Sequence, residues 1–167
     1  WIVLYWQVWM LNGKNILLRS LKISDLSFLK HIENNKSNWR YGSENVIYSD
    51  NDLINFIINS NQNIKKSKQL RFVIDKYGPS IGFVDLYDYK EFTANIGIII
   101  DKEYRRNGFG KEALNLISNY AFSFLKINKL YAMVHSSNQS SISLFRSSGF
   151  TLFKTQKQFQ YFIKLAS

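Results

Sequence analysis

The stretch that decides the fold runs from residue 94 to residue 122 and reads ANIGIIIDKEYRRNGFGKEALNLISNYAF. It opens with a β-rich apolar run and continues through a loop that contains two arginines and two glycines. From Leu114 to Phe124 apolar residues then recur at spacings of three and four, which indicates an amphipathic helix. The stretch therefore predicts a strand, a loop and a helix from about Gly108 to Leu125.

The loop has the composition of an anion-binding site. A helix start carries unpaired backbone N–H groups and a partial positive charge. Gly108 and Gly110 allow close approach and positive φ, and Arg105 and Arg106 add permanent charge. The Gly-Lys-Ser/Thr ending of a nucleotide-binding P-loop is absent, and so is the three-glycine dinucleotide fingerprint. On spacing alone, a structural turn with incidental arginines remains an equal alternative.

The rest of the chain alternates strands and helices. Strands are predicted at 15–21, 93–101 and 129–135, a hairpin at 69–88, helices at 24–34, 49–62 and 138–148, and two closing strands after Gly149. This order predicts an α+β (mixed α/β) fold with one central sheet, in a single domain spanning residues 10–167. Residues 1–9, WIVLYWQVW, are too short for a membrane span of about 20 residues. They are interpreted as a non-native or flexible extension, or alternatively as an apolar strand.

Composition narrows the class of protein. Lysine and arginine number 22 against 12 aspartates and glutamates, a formal net charge of +10 that favours phosphates and acidic ligands. Hydrophobic residues make up 46% of the chain, which excludes a disordered polymer. With no cysteine, disulfides, thiolate nucleophiles and zinc ribbons are excluded. We expect a cytoplasmic protein that uses no metal and does not enter a membrane.

Two motifs in order give a family resemblance. Arg105, Gly108 and Gly110 match (R/Q)-x-x-G-x-(G/A) between a strand and a helix, and NQSSISLFRSSGF, residues 138–150, is similar to N-x-x-S-x-x-L-Y-x-x-x-G-F. Over nearly all of residues 15–165 the chain resembles the GNAT superfamily of acetyl-CoA-dependent N-acetyltransferases, in the branch of ribosomal-protein and spermidine acetyltransferases. The resemblance implies a twisted, mostly antiparallel sheet of about seven strands, helices on both faces, and a splayed strand pair for acyl-CoA.

The resemblance also implies where the donor, acetyl-CoA, would bind. Loop amides would hold the diphosphate, the strand before the loop would pair with the pantetheine arm, and the strand 130–135 would splay away to admit the thioester. The residues so assigned are Ile98, Ile99, Ile100, Arg105, Arg106, Asn107, Gly108, Phe109, Gly110, Asn138 and Phe145.

The catalytic groups are less evident from the sequence. An alkyl amine has a pKa of about 10.4, so a base or a water chain must remove its proton. Asp85 and His135 are the candidate bases, with ordered water as the alternative. A backbone N–H near Ile98 or Ile99 would stabilise the oxyanion. Many relatives have a tyrosine as general acid where this chain has Phe145. Ser141, one turn earlier, is the candidate replacement, although a surface serine is the simpler interpretation.

The acceptor would bind beside the first two helices and their connection. Trp39, Tyr41 and Tyr87 are predicted to line this site, with Tyr48 as a further candidate. A small amine, an amino sugar or a peptide N-terminus fits better than a polycation, because the chain itself is strongly basic. Alternatives are a catalytically weak acyl-CoA-binding module and a basic nucleic-acid-binding domain, which is disfavoured because no nucleic-acid-binding motif occurs. A monomer or a homodimer is expected.

Overall fold

The computed structural model describes residues 10–41 and 45–167, except the side chains of residues 40 and 41. The interpretation of residues 1–9 as an extension lies outside the described residues. Within them the strands are β1 Met10–Asn12, β2 Leu17–Arg19, β3 Leu70–Asp75, β4 Ser80–Lys90, β5 Thr93–Ile100, β6 Lys129–His135, β7 Thr151–Gln156 and β8 Phe159–Leu165. The helices are α1 Leu26–Glu33, α2 Asp50–Asn59, α3 Ile64–Ser67, α4 Phe109–Ser123 and α5 Gln139–Ser147.

All eight strands form one sheet in the order β1-β2-β3-β4-β5-β6-β8-β7. Every neighbouring pair is antiparallel except β5 and β6, which run parallel. The mixed α/β fold class is confirmed. The described part of the chain has one strand more than the seven or so expected, because β1 adds a three-residue edge strand.

Local sequence signals account for most element boundaries. At the start of α2, Ser49 Oγ accepts from the N–H of Asp52 at 3.2 Å, and the N–H of Ser49 donates to the Asp52 carboxylate at 3.0 Å. This reciprocal capping satisfies two N–H groups at the helix start. The strand predicted for 15–21 is shorter, Leu17–Arg19, and is followed by a 3-10 turn at Ile23–Asp25. The short helix α3 was not predicted.

Helices pack on both faces of the sheet. One face carries the larger core, in which Ile117 of α4 and Ile142 of α5 pack with Val84, Ile96 and Leu130 of the strands. The other face carries a smaller core in which α1 and α2 pack on β3 and β4, with Leu29, Ile57, Val73 and Phe83 among its members. Residues therefore alternate along β4 and β5 between the α4/α5 face and the α1/α2 face.

Candidate active site

The sheet has a gap between its two parallel strands. The pairing of β5 with β6 covers Thr93 to Asn95 against Lys129 to Tyr131 and then stops, although β5 continues to Ile100 and β6 to His135. The expected splay of these strands is confirmed. Because parallel strands otherwise pair along their length, the gap leaves backbone groups of β5 available to a ligand.

Hydrogen-bond alternation identifies which residues of β5 face the gap. The N–H of Asp101 donates to the carbonyl of Ile81 at 2.8 Å, and the register between β4 and β5 is regular from Gly82 to Tyr87. Backbone groups of an antiparallel strand point alternately to either neighbour. The backbone N–H and C=O of Ile99 therefore point towards β4, whereas those of Ile98 point into the gap. At Ile96 the N–H faces Tyr131 in the last parallel pair, and the C=O is directed into the gap. Sequence reasoning missed Ile96, because only the register distinguishes these isoleucines.

The loop that follows β5 provides a backbone concavity. Arg106 has φ +62° and Gly108 has φ +82°, and a Cβ on Gly108 would have no neighbour within 4 Å. The side-chain amide of Asn107 donates to the carbonyls of Tyr104 at 3.3 Å and Arg105 at 3.0 Å, which stabilises the turn. The first N–H groups of α4 thus open onto an unobstructed surface, as a diphosphate requires.

Arg105 and Gly110, both predicted to bind the donor, make contacts that stabilise the fold itself. Arg105 Nε donates to the carbonyl of Ile100 at 2.8 Å, and its Nη2 donates to Asn38 Oδ1 at 3.3 Å. A Cβ on Gly110 would lie 3.1 Å from Leu144 Cδ2, so this glycine allows α5 to pack closely on α4. Of the motif residues, Gly108 is the one whose missing Cβ faces open space near the gap.

A lysine from another part of the chain lies beside the loop. Lys76 Nζ is 5.4 Å from the ring centre of Phe109 and 5.8 Å from that of Tyr104. This residue follows β3 and adds positive charge next to the start of α4. The sequence carries no signal for it, because its position depends on the β3–β4 turn lying against the loop.

Helix α5 begins next to the far end of the gap. Asn138 caps it by accepting from the N–H of Ser141 at 3.3 Å and from Ser140 Oγ at 3.1 Å. Phe145 is only 4% exposed and packs its ring against those of Phe150 and Phe162, at centroid distances of 5.1 and 6.4 Å. Phe145 therefore contributes to the core, and its predicted contact with the donor stays a prediction.

In the expected binding mode, the two faces of the sheet would separate donor from acceptor. Tyr104, Phe109 and α4 pack on the α4/α5 face, so a donor held by the loop would enter the gap from that side. An acceptor would then approach from the α1/α2 face. There Asp85, Gly97 and Tyr87 are close: Asp85 is the register partner of Gly97, and a Cβ on Gly97 would lie 3.5 Å from Tyr87 Cε1.

A half-buried arginine connects two carboxylates on the α1/α2 face. Arg71 donates from Nε and Nη2 to the two carboxylate oxygens of Asp85, at 2.5 and 2.8 Å, and from Nη1 to Glu33 at 2.5 Å. Its guanidinium also lies 5.0 Å from the ring of Phe56. Burial lowers the pKa of Arg71, but the charges of Asp85 and Glu33 more than offset this and raise it. Asp85 is thus a fixed ion-pair partner, and its predicted role as base requires that Arg71 release it.

Tyr87 and His135 both present hydrogen-bond donors. Burial, then the charges of Asp88 and Asp85, raise the pKa of Tyr87, so its hydroxyl stays protonated at neutral pH. The N–H of Ser137 donates to His135 Nδ1 at 3.2 Å, and Ser137 Oγ lies 2.7 Å from the same nitrogen. A neutral His135 therefore carries its proton on Nε2, and this tautomer is a donor towards other groups.

The side chain of Trp39 and the backbone of Tyr48 help to hold the α1–α2 connection. Trp39 Nε1 donates to the carbonyl of Glu33 at 2.9 Å, and the N–H of Tyr48 donates to Asn34 Oδ1 at 2.8 Å. The side chain of Tyr41 lies outside the described residues. Within the part of the chain that the structure describes, no group of three or more His, Cys, Asp or Glu side chains could hold a metal ion, and no helix is long and apolar enough to cross a membrane.

A strand gap beside a glycine-containing helix start is the arrangement that the family resemblance led us to expect for an acyltransferase. Residues 15–151 match the family model described as acetyltransferase (GNAT) domain, so the chain belongs to the GNAT acetyltransferase family and is an acyltransferase. It is 29% identical over 143 residues to spermidine N(1)-acetyltransferase of Escherichia coli, covering 84% of this chain and 75% of that protein.

Solved structures agree with this assignment. Spermidine N-acetyltransferase from Vibrio cholerae, solved in complex with CoA and spermine, superposes with a TM-score of 0.79 at 25% identity, covering 92% of this chain and 96% of that one. RimL, a ribosomal alpha-N-protein acetyltransferase solved with coenzyme A, gives a TM-score of 0.85 at 14% identity, covering 93% and 97%. At that identity the second comparison shows the fold alone.

Proposed function

We propose that this protein transfers an acetyl group from acetyl-CoA to a primary amine by direct attack in the gap between β5 and β6. The observation that carries the proposal is the end of strand pairing at Asn95 and Tyr131, directly before the loop at 105–110. The structure of the Vibrio cholerae relative, which was solved in complex with CoA, supports the choice of donor.

The donor fits the residues that face the gap. Loop N–H groups near Gly108 would bind the diphosphate, with Arg106 and Lys76 supplying charge from either side. The backbone of Ile98 would pair with the pantetheine arm as an added strand. Ile99 is the less suitable member of the expected set because its backbone pairs with β4, and Ile100 already accepts from Arg105 at its carbonyl.

The reaction has three requirements: a stabilised oxyanion, removal of a proton from the amine, and departure of the thiolate. As the amine nitrogen bonds to the thioester carbon and the carbon–sulfur bond breaks, the gap-facing N–H of Ile98 would stabilise the oxyanion. The amine must lose a proton, and thiolate must leave. A thiol of pKa about 8.5 leaves without prior protonation, so the lack of a hydroxyl at Phe145 is tolerable.

We infer that water carries the amine proton. Asp85 is bound by Arg71 at both oxygens, and His135 has its accepting nitrogen engaged by Ser137. Removing a true general base costs about 10²–10⁴-fold in rate. We therefore expect Asp85→Asn and His135→Gln each to lower kcat less than about tenfold, a smaller loss than removal of a general base causes. A loss of 10³-fold in either variant would identify that residue as the base instead.

The acceptor is a primary amine whose remaining chemistry the relatives leave open. Spermidine is the acceptor named for the Escherichia coli relative, and a ribosomal protein is named for the fold neighbour. In this chain Glu33 and Asp85, on the acceptor face, are already paired with Arg71. Paired carboxylates attract a polycation weakly, which favours an acceptor other than a polyamine.

A panel of amines incubated with acetyl-CoA tests the reaction. Spermidine, simple monoamines, an amino sugar and free peptides would be compared by the mass gain of one acetyl group. We expect at least one amine to be acetylated far above the rate without enzyme. Acetyl-CoA that binds without acetylating any amine would contradict catalysis and support the acyl-CoA-binding alternative.

A glycine pair tests the donor site. Gly108 and Gly149 both have left-handed φ, +82° and +87°, so a valine at either strains the backbone similarly. We expect Gly108→Val to weaken acetyl-CoA binding about tenfold or more, because a side chain there would obstruct the diphosphate. The matched control Gly149→Val should lose stability but keep donor affinity. Equal donor affinity in the two variants would show that the loop does not hold the diphosphate.

A further inference from the structure

A β-bulge changes the direction of one carboxylate in β4. Regular alternation along this strand would put Asp88 on the α4/α5 face, together with Leu86. The register of β4 against β5 shifts between Tyr87 and Lys90, so that β4 has one extra residue there. Asp88 is exposed and has φ +50°, and Tyr89, which follows it, is buried in the core of the α4/α5 face. The bulge therefore places Tyr87 and Asp88 side by side on the α1/α2 face.

The bulge brings Asp88 to the point where the gap opens. The side-chain amide of Asn95 donates to Asp88 Oδ2 at 3.4 Å. Asn95 is the register partner of Tyr87, and with Tyr131 of β6 it forms the last pair before β5 and β6 separate. Side chains of register partners share one face of a sheet, so the Asp88 carboxylate lies on the α1/α2 side of the gap.

Asp88 differs from the neighbouring carboxylates in its partners. Asp85 has both oxygens bound by Arg71, which also binds Glu33. Within the part of the chain that the structure describes, Asp88 forms no ion pair, and its carboxylate accepts one side-chain hydrogen bond, from Asn95. A carboxylate with unused lone pairs can accept further hydrogen bonds or a proton. Asp88 is therefore available for proton transfer, whereas Asp85 would first have to leave Arg71.

Tyr87 connects Asp88 with the middle of β5. A Cβ on Gly97 would lie 3.5 Å from Tyr87 Cε1, so the ring leans over a residue without a side chain. A glycine inside a strand often marks a place where a ligand approaches the backbone closely. The charge of Asp88 contributes, after burial, to the raised pKa of Tyr87, so the two side chains are close to each other.

The distance to the reacting groups requires water. Ile98, whose N–H would hold the oxyanion, is three residues after Asn95, or about 10 Å along β5. A hydrogen bond spans about 3 Å, so an amine at Ile98 and the carboxylate of Asp88 would not be in direct contact. Because Asp88 is exposed, water reaches its carboxylate, and a proton received there can return to solvent.

Resting on the proposed function, we propose that Asp88 receives, through water, the proton that the acceptor amine loses. The amine nitrogen bonds to the thioester carbon, and the carbon–sulfur bond breaks with its electron pair going to sulfur. The N–H proton passes to a water molecule beside Tyr87, and this water gives a proton to the Asp88 carboxylate. Asp88 then releases the proton to solvent before the next acceptor binds.

Replacement of Asp88 by asparagine removes the charge and little else. Asparagine tolerates positive φ as aspartate does, and its carbonyl oxygen can still accept from Asn95. We expect Asp88→Asn to lower kcat for the best amine of the panel about 100-fold or more, the loss that removal of a general base causes. The KM for acetyl-CoA and the free energy of unfolding should not change.

Glu91 provides the matched control. It is exposed, also has φ +50°, and lies three residues further along the same hairpin. Glu91→Gln removes the same charge and should change kcat less than about twofold, because exposed charges are screened by salt. An equal loss of kcat in Asp88→Asn and Glu91→Gln would show that the charge of the hairpin matters, and would overturn the role of Asp88.

An acceptor that needs no base separates proton transfer from a structural effect. Methoxyamine is already neutral at neutral pH, and attack on the thioester makes its N–H acidic enough to be lost to bulk water. We expect Asp88→Asn to lower kcat/KM for methoxyamine less than about tenfold, against about 100-fold for an alkyl amine. Equal losses with both acceptors would overturn the proposal. A higher KM for the alkyl amine with unchanged kcat would assign Asp88 to binding its ammonium group instead.

The outcomes separate this inference from the proposed function. If the unaltered protein acetylates an amine and Asp88→Asn keeps kcat within about tenfold, the role of Asp88 alone is overturned. If the unaltered protein acetylates no amine, the proposed function is overturned and this inference with it.

Discussion

Phe145 illustrates how a single position can match a motif and still serve a different purpose. The family motif has tyrosine there, but this side chain is buried against Phe150 and Phe162. Its burial explains why phenylalanine is suitable, since a phenolic hydroxyl in an apolar core needs a hydrogen-bond partner. The same substitution, phenylalanine for tyrosine at position 145, therefore removes the family's usual general acid and allows this core to pack without a buried hydroxyl.

Phe145→Tyr is expected to destabilise the protein without improving catalysis. A hydroxyl buried in the core without a partner costs about 1–3 kcal/mol. Denaturant unfolding would measure the loss, and kcat with the best amine would measure catalysis. Phe150→Tyr, a neighbouring core ring, is the control for burying a phenol. If kcat rose tenfold in Phe145→Tyr alone, the ring at 145 would have to face the thioester.

At the scale of elements, the donor site depends on how closely α4 and α5 pack. Gly110 is in the first turn of α4, and a Cβ there would approach Leu144 of α5 to 3.1 Å. The same α5 carries Asn138 at its start, beside the gap. Gly110 thus affects the proposed donor site indirectly, because it allows α5, which carries Asn138, to pack close to α4.

Gly110→Val is expected to force α5 away from α4. Overpacking of this kind costs about 1–3 kcal/mol. Combining it with Leu144→Ala should recover part of the loss, because the truncated side chain makes room for the new methyl groups. Stabilities of the two single variants and the double variant, with the KM for acetyl-CoA, would test this. Additive losses would show that Gly110 does not act through Leu144.

A second element-scale contact joins the first strands to the helix that follows. Arg19 of β2 donates to Asp25 through both Nη atoms, at 2.9 and 2.8 Å, and through Nε to Asp75 of β3 at 2.8 Å. Burial raises the pKa of Asp25, but hydrogen bonds from Arg19 and from the N–H of Lys22 more than offset it and hold that pKa below its ordinary value.

The ion pair of Arg19 and Asp25 predicts that the protein loses stability at acidic pH. A carboxyl whose pKa is lowered by folding stabilises the protein fully above its unfolded pKa, about 3.9, and loses that contribution as the pH falls through its folded pKa. We expect the free energy of unfolding to fall below about pH 4, with a shallower fall in Asp25→Asn. Asp50→Asn, at an exposed site, is the control. Identical pH profiles of Asp25→Asn and the unaltered protein would contradict the assignment.

At the scale of the whole molecule, the net charge of +10 would attract the polyanionic donor that we propose. Long-range attraction of this kind is screened over about 10 Å at 0.1 M salt. The KM for acetyl-CoA should therefore rise with ionic strength. A short uncharged acetyl thioester should show little dependence, and the same rise for both donors would show that salt acts on the protein rather than on attraction.

Prediction from the sequence succeeded where signals are local. Alternating β-rich runs and helical spacing located most elements, and the two motifs indicated the fold and the donor loop. The helix α3 and the strand β1 were missed because four- and three-residue elements carry little periodicity. The contacts of Arg71 and Lys76 were also missed, because their partners are 14 or more residues away along the chain.

The sequence by itself determined the class of fold, the glycine-arginine loop before a helix and the absence of a tyrosine at position 145, because each depends on residue type and spacing alone. Only the tertiary structure decided which isoleucines of β5 face the gap, that Asp85 is bound by Arg71, and that Lys76 lies beside the loop at 105–110. These depend on strand register and on contacts between distant residues, which the order of residues along one strand does not specify.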